Sequence, residues 1–202
     1  MFSVYKIDPV GFAANAYLVT ADGRTAVAVD PSQERVLEKA KAAGLEIVAA
    51  LLTHGHFDHV GGCFALSAAG VPVYCAAAER DLVNGVDSMY REYGTPMPTF
   101  KVIPTLKDGD KITLAGIDFF VIATTGHTAG SVTYRTGNYL FTGDTLFEES
   151  VGRTDLPTVD WSALKDSVRK LYALPGDYKV LSGHGGDTTL QNEREHNPFV
   201  QP

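Results

Sequence analysis

The chain has 202 residues and a formal charge of −7, from 17 basic and 24 acidic side chains. Apolar residues at 45% and charged residues at 20% suit one folded domain and exclude a disordered, collagen-like or disulfide-scaffold chain. The acidic balance excludes a basic footprint for nucleic acid. The longest apolar run, 47–52, falls far short of the roughly 20 residues a membrane span needs.

Segments rich in Val, Ile, Tyr and Phe, bounded by Gly, Asp or Pro, predict strands at 2–7, 15–20 and 25–30. A helix over 32–43 follows, with Ser32 as its cap and Gly44 as its stop. Strand 47–52 precedes a second helix, 58–69, which ends before Gly70. Strand 71–75 and a faint helical pattern at 76–84 come next. Five strands follow, at 100–103, 111–114, 117–122, 131–135 and 139–142. A helix over 160–173 opens on an Asp160 cap and stops before Pro175, and strand 179–181 comes after it. This order predicts a single α/β domain over 1–202, each half giving one sheet and its outer helices. Cys63 and Cys75 suit a reducing compartment and read as two buried thiols rather than a bridge. The first ten residues carry no basic flank followed by an apolar stretch, so a cytoplasmic location is expected.

The segment Thr53-His54-Gly55-His56-Phe57-Asp58-His59 directly follows strand 47–52. In an extended loop His54 and His56 point to one side, because alternate side chains share a face. The chain then enters a helix near Asp58, so His54, His56, Asp58 and His59 fall in a small volume. Three imidazoles and a carboxylate are metal ligands in kind, and without a cation they would repel one another or go unsatisfied. Three further loops carry the same residue types after predicted strands. His127 stands in Gly126-His127-Thr128, Asp144 in Thr142-Gly143-Asp144-Thr145, and His184 in Gly183-His184-Gly185. Glycines on these loops permit sharp turns and close backbone approach. Together the loops supply five histidines and two aspartates, enough for two metal ions.

These motifs, with Asn15-Ala16-Tyr17, Val29-Asp30-Pro31 and Phe141 through Phe147, resemble the metallo-β-lactamase superfamily, and within it the glyoxalase II-like hydrolases. The stretch Val151-Gly152-Arg153-Thr154-Asp155-Leu156-Pro157 and the ending Thr188 to Phe199 resemble its short single-domain subgroup. The resemblance implies a four-layer αββα sandwich of two mixed sheets with the site at their common edge. It implies that His54, His56 and His127 hold one metal, that Asp58, His59 and His184 hold a second, and that Asp144 bridges them. Asp58 and Asp144 are thereby the catalytic carboxylates. The expected cofactors are two divalent ions, zinc first, with iron or manganese as the other choices.

Two such ions would share a water, hold it as hydroxide near neutral pH and polarise a carbonyl. A thiolate, with a conjugate-acid pKa of about 8.5, leaves without a general acid, which favours a thioester. The resemblance implies a hydroxyacylglutathione such as S-D-lactoylglutathione. The longer glyoxalase II enzymes add a C-terminal helical domain for glutathione, whereas 18 residues follow His184 here. Arg153 matches a basic glutathione-binding position and is the substrate-binding candidate; the alternative is a structural ion pair with Asp155. Tyr90, Arg91 and Tyr93, in the stretch 85–98, could cover the cleft. Asp118, Asp155 and Asp166 read as solvated or structural, and His196 as exposed without a role. The rival reading is a persulfide dioxygenase with one iron on His54, His127 and Asp144. A nuclease would need a basic channel, an exported β-lactamase would need a signal, and an inert metal-binding module would waste a complete ligand set. The expected partner is a small-molecule thioester, with no nucleic acid or membrane, on a monomer or small homo-oligomer.

Overall fold

The computed structural model describes residues 2–83, 85, 100–153, 155 and 159–202. The first sheet is built in chain order: β1 (Ser3–Ile7), β2 (Ala16–Thr20), β3 (Thr25–Val29), β4 (Glu46–Leu51), β5 (Val73–Ala76) and β6 (Ile103–Leu106). Strands β1 to β3 are antiparallel neighbours, and β3 to β6 run parallel. Parallel pairing needs crossovers. The first is α1 (Arg35–Ala42); the second contains α2 (Phe57–Val60) and α3 (Cys63–Ala68).

The second sheet holds β7 (Lys111–Leu114), β8 (Ile117–Ala123), β9 (Val132–Thr136), β10 (Tyr139–Gly143), β13 (Lys179–Ser182) and β14 (Thr188–Thr189). Its spatial order is β14-β13-β10-β9-β8-β7, antiparallel except for the β10–β13 pair. A short hairpin, β11 (Leu146–Phe147) and β12 (Ser150–Val151), sits beside the site. The chain also forms α4 (Arg80–Val83), α5 (Trp161–Tyr172) and α6 (Leu190–His196).

Three buried clusters separate the layers. Ile7, Leu18, Ala28, Val36, Leu52 and Leu66 fill the space between the first sheet and its helices. Val19, Val27, Phe119, Tyr134 and Phe141 lie between the two sheets. Leu140, Leu164, Val168, Leu171 and Leu190 lie between the second sheet, α5 and α6. Successive residues of one strand feed opposite clusters, as Tyr17 and Leu18 do, because each sheet is covered on both faces. The result is the expected four-layer αββα sandwich.

Some boundaries differ from the sequence reading. The first helix starts at Arg35, not Ser32. The Ser32 hydroxyl donates to Ala14 O at 2.7 Å instead of capping. The helix expected over 58–69 divides at Gly61 and Gly62. A Cβ on Gly61 would stand 2.3 Å from Ser32 O, so both glycines admit the backbone of 31–33. The 76–84 pattern becomes the end of β5, a 3₁₀ turn at Ala77–Glu79 and α4; residue 84 lies outside the described residues. The strand expected at 100–103 forms at Ile103–Leu106, while Phe100 and Val102 pack into the first core. Pro104 is tolerated there because β6 is an edge strand. Helix α5 follows the expectation, with Asp160 accepting from Ala163 N at 3.0 Å. Cys63 and Cys75 are buried free thiols. Among the described residues, no helix is long and apolar enough to cross a membrane.

Candidate metal centre

The loops after β4, β8, β10 and β13 meet at one edge of the sandwich. All seven expected ligands gather there. His54, His56 and His127 form one group, and Asp58, His59 and His184 another. His54, His59 and Asp144 lie between them, with the ligand atoms of each group within 4.8 Å of one another. Asp144 is central: its oxygens stand 3.2 Å from His59 Nε2, 3.5 Å from His127 Nε2 and 3.5 Å from His184 Nε2. His56 Nδ1 and His127 Nε2 are 3.0 Å apart, and His184 Nε2 is 3.1 Å from Asp58 Oδ2.

Local sequence explains these positions. Strand β10 slips register against β13 between Phe141 and Gly143, and Gly143 takes φ +50°, a conformation other residues rarely adopt. That turn carries Asp144 out of the sheet. Gly183 keeps the space beside it clear: a Cβ there would stand 2.2 Å from Asp144 Oδ1 and 2.6 Å from His59 Cε1. Asn15 holds the His184 loop, its amide donating to Ser182 O at 3.0 Å and its backbone N–H to Gly183 O at 2.7 Å.

Two carboxylates that the sequence reading gave no role complete the frame. Asp30, buried at the end of β3, accepts from His59 Nδ1 at 3.0 Å and from both Thr53 N and Thr53 Oγ1 at 2.7 Å. The Thr53 hydroxyl spends its proton on Asp30, so at 3.1 Å it accepts from His54 Nδ1. Both histidines are thereby turned with Nε2 toward the centre, the arrangement by which outer partners orient metal ligands. The signal for Asp30 was present: like Asp144, it is an aspartate directly after a strand. Glu79, at the end of the 3₁₀ turn, gave no such signal; burial pushes its carboxyl upward, while donors from Thr128, Gly55 and Gly130 pull the other way.

The electrostatics divide the site in two. Burial, then neighbouring imidazoles, holds His54 well below its usual range and His56 at about 3. Burial also lowers His127. Three neutral imidazoles present lone pairs, the form a metal requires. In the other half burial opposes the charge on His59, but Asp144, Asp30 and Asp58 overturn it and raise His59. Burial likewise opposes charge on His184, and its bond to Asp58 and the Asp144 charge raise it. Burial works against the Asp144 and Asp58 carboxylates too, yet His59 and its neighbours keep both low.

His54 Nε2, His59 Nε2 and Asp144 Oδ1 are buried and, among the described residues, make no hydrogen bond of good geometry. Orphaned buried acceptors and donors are costly. These atoms converge on common points, so the donor set fits divalent ions.

A cavity of about 490 Å³ opens onto the site, walled by Pro9, Phe12, Phe57 and Phe147, with Arg153 at its rim. Arg153 also pairs with Asp155 through two contacts of 2.9 Å, both residues more than half exposed. The ion pair and the place at the cavity therefore coexist. Tyr90, Arg91 and Tyr93, like Thr154, Leu156 and Pro157, lie outside the described residues. Asp118 pairs with Lys111 and Asp166 with Arg169, on the surface. His196 is exposed, its Nδ1 3.2 Å from Asn192 O.

A family model for the metallo-beta-lactamase superfamily matches residues 9–184. The chain belongs to that superfamily. Its members are generally hydrolytic enzymes with a metal-binding histidine cluster. Among curated relatives, the chain is similar to the hydroxyacylglutathione hydrolase GloC of Haemophilus influenzae, 33% identical over 96% of this chain and 97% of the other. Among solved structures it is similar to BLEG-1, a B3 metallo-beta-lactamase, at 36% identity and TM-score 0.91 over the whole of both chains. TTHA1623 in a di-iron-bound form matches at 39% identity and TM-score 0.85, over 97% of this chain and 100% of the other. ETHE1 from Myxococcus xanthus matches at 28% identity and TM-score 0.79, over 97% and 83%.

Proposed function

We propose that this superfamily member is a dinuclear metallohydrolase that cleaves thioesters of the hydroxyacylglutathione class, such as S-D-lactoylglutathione. The observation that carries the reading is the seven-ligand set itself: two groups of three donors with the Asp144 carboxylate between them. His54, His56 and His127 would hold one ion, Asp58, His59 and His184 the other, and Asp144 both. When bound, two divalent ions supply a water of lowered pKa and a Lewis acid for the carbonyl. The metal-free donor set does not choose between zinc, iron and manganese, and the di-iron form of TTHA1623 keeps iron among them.

The chain's own residues do the rest. Phe12, Phe57 and Phe147 keep the cavity wall apolar, which strengthens every charge interaction at its floor. Asp58 and Asp144 are the catalytic carboxylates, fixing the charge that faces the reacting carbonyl. Arg153 at the rim would accept a carboxylate of the thiol carrier, exchanging part of its exposed pair with Asp155. A thiolate leaves without a proton donor, and none of the described residues in the cavity wall beyond the ligand set is an acid. The likeness to GloC supports this substrate class. A cytoplasmic setting, with no nucleic-acid or membrane partner, completes the proposal.

The test is thiol release from S-D-lactoylglutathione by metal-loaded protein, read with a thiol reagent, beside a simple lactate ester and a β-lactam. Preferential cleavage of the thioester supports the reading; preference for the β-lactam overturns it. The likeness to ETHE1 favours one second reading, a persulfide dioxygenase with a single iron on His54, His127 and Asp144. Oxygen consumption with glutathione persulfide would select it.

A further inference from the structure

Glu79 is an acidic residue 1% exposed, and among the described residues its hydrogen bonds go to Gly55, Thr128 and Gly130 and to none of the seven candidate ligands. Its Oε2 accepts from Gly55 N at 2.8 Å, and Gly55 is the residue between His54 and His56. Its Oε1 accepts from Thr128 Oγ1 at 2.7 Å and from Gly130 N at 2.8 Å, in the loop that carries His127. One carboxylate thus joins two loops from different sheets, the loop after β4 and the loop after β8. The fit is close: a Cβ on Gly130 would stand 2.6 Å from Glu79 Oε1. The two loops bring His56 Nδ1 and His127 Nε2 to 3.0 Å. Among the described residues, no hydrogen bond of Glu79 reaches the loops of Asp144 or His184.

We propose that Glu79 is a positioning residue that sets the spacing of His54, His56 and His127, and so tunes the first metal position selectively. The inference rests on the two-metal reading given above. A bare carbonyl would not do the same work, because three donors need two oxygens. In Glu79→Gln the amide keeps one oxygen. It can serve Gly55, or Thr128 and Gly130, and its NH₂ group then opposes a donor on the other side. The loops must part, and metal ligands tolerate displacements of only about 0.2 Å. Loss of such an outer partner weakens metal binding by about 10- to 100-fold.

The test is a cobalt(II) titration, followed by absorbance, in two backgrounds. His184→Ala disables the second position and leaves the first to bind. His56→Ala disables the first and leaves the second. Adding Glu79→Gln should weaken cobalt binding about 10- to 100-fold in the His184→Ala background and leave it within about twofold in the His56→Ala background. A general loss of stability would lower both, and equal effects in both backgrounds, or none in either, would overturn the inference. If neither background binds cobalt, the two-metal reading fails on its own. The clamp is then decided in the metal-free protein by amide exchange at Gly55 and Gly130. Protection lost in Glu79→Gln, while Val132 and Asn15 stay protected, supports it; unchanged protection at both glycines overturns it.

Discussion

A methyl group at position 183 has nowhere to go without moving Asp144 and His59. The added Cβ would lie 2.2 Å from Asp144 Oδ1, about 1.2 Å inside the 3.4 Å at which ordinary contact begins, and 2.6 Å from His59 Cε1, about 0.8 Å inside it. The Gly183 backbone yields little, because its N–H donates to Gly143 O at 2.9 Å and its carbonyl accepts from Asn15 N at 2.7 Å. The ligands must therefore shift by about 1 Å, several times the roughly 0.2 Å a metal site tolerates. Misplacement of that size costs about 100-fold in rate, while overpacking alone costs about 1–3 kcal/mol of stability. Gly183→Ala should thus fold, with a lowered Tm, carry less than one ion at the second position, and lose thioesterase activity by about 100-fold or more. Metal content by plasma mass spectrometry, Tm by calorimetry and thiol release would be measured on one preparation. Two tightly held ions and activity within a few-fold of wild type would show that the Gly183 contact does not constrain Asp144 and His59.

Arg153→Ala should raise KM for a carboxylate-bearing thioester about three- to tenfold with kcat little changed, since the roughly 1.5–3 kcal/mol of a charged hydrogen bond falls to about 1 kcal/mol at a half-exposed guanidinium; unchanged KM would remove Arg153 from substrate binding. In the metal-free protein the carboxylates around His59 overcome its burial and raise it above its ordinary value of 6.5. Its contribution to metal-free stability is therefore complete below pH 6.5 and is lost as pH rises through the raised value, whereas metal binding must expel the proton and strengthens over the same rise. Calorimetric metal titration at pH 7 in two buffers of different ionisation heat should show at least one proton released per chain, and none released would contradict it. Burial, followed by nearby carboxylate and thiol groups, raises Cys63, and burial, then Glu79, pushes Cys75 up to about 12. Neither should react with a disulfide reagent at pH 8 until denaturant exposes both; a fast-reacting thiol in the folded protein would refute the burial.

The candidate ligands were legible because three loops repeat one device, a β-rich segment, then glycine, then His or Asp, while in the first loop Thr53 precedes His54 and glycine follows it. Local composition carried that device, so His54, His127, Asp144 and His184 could be read without the fold. Asp30 shares part of that mark, an acid directly after a strand but without the glycine, and its task depends on contact with His59, which only the packing of β3 against β4 creates. Glu79 has no mark, since its three donors, Gly55, Thr128 and Gly130, stand far from it in the chain. The strands of the core were visible from apolar runs. The two-residue strands β11, β12 and β14 were not, being too short for any period, and α6 presents one buried apolar residue, Leu190, at its start. Its anchor is polar instead: buried Glu193 accepts from Thr188 Oγ1 at 2.7 Å and Asn197 Nδ2 at 2.9 Å. The Ser32 cap failed because Ala14 O, remote in sequence, offered that hydroxyl a better partner.

If seven side chains form two metal positions that share the Asp144 carboxylate, metal content per chain should show it. Measured by plasma mass spectrometry on protein purified without added metal, and again after loading and desalting, it should reach two divalent ions per loaded chain, falling to one in His184→Ala and to fewer than one in Asp144→Ala. A single iron per chain, unchanged by loading and indifferent to His184→Ala, would contradict this and select the dioxygenase reading.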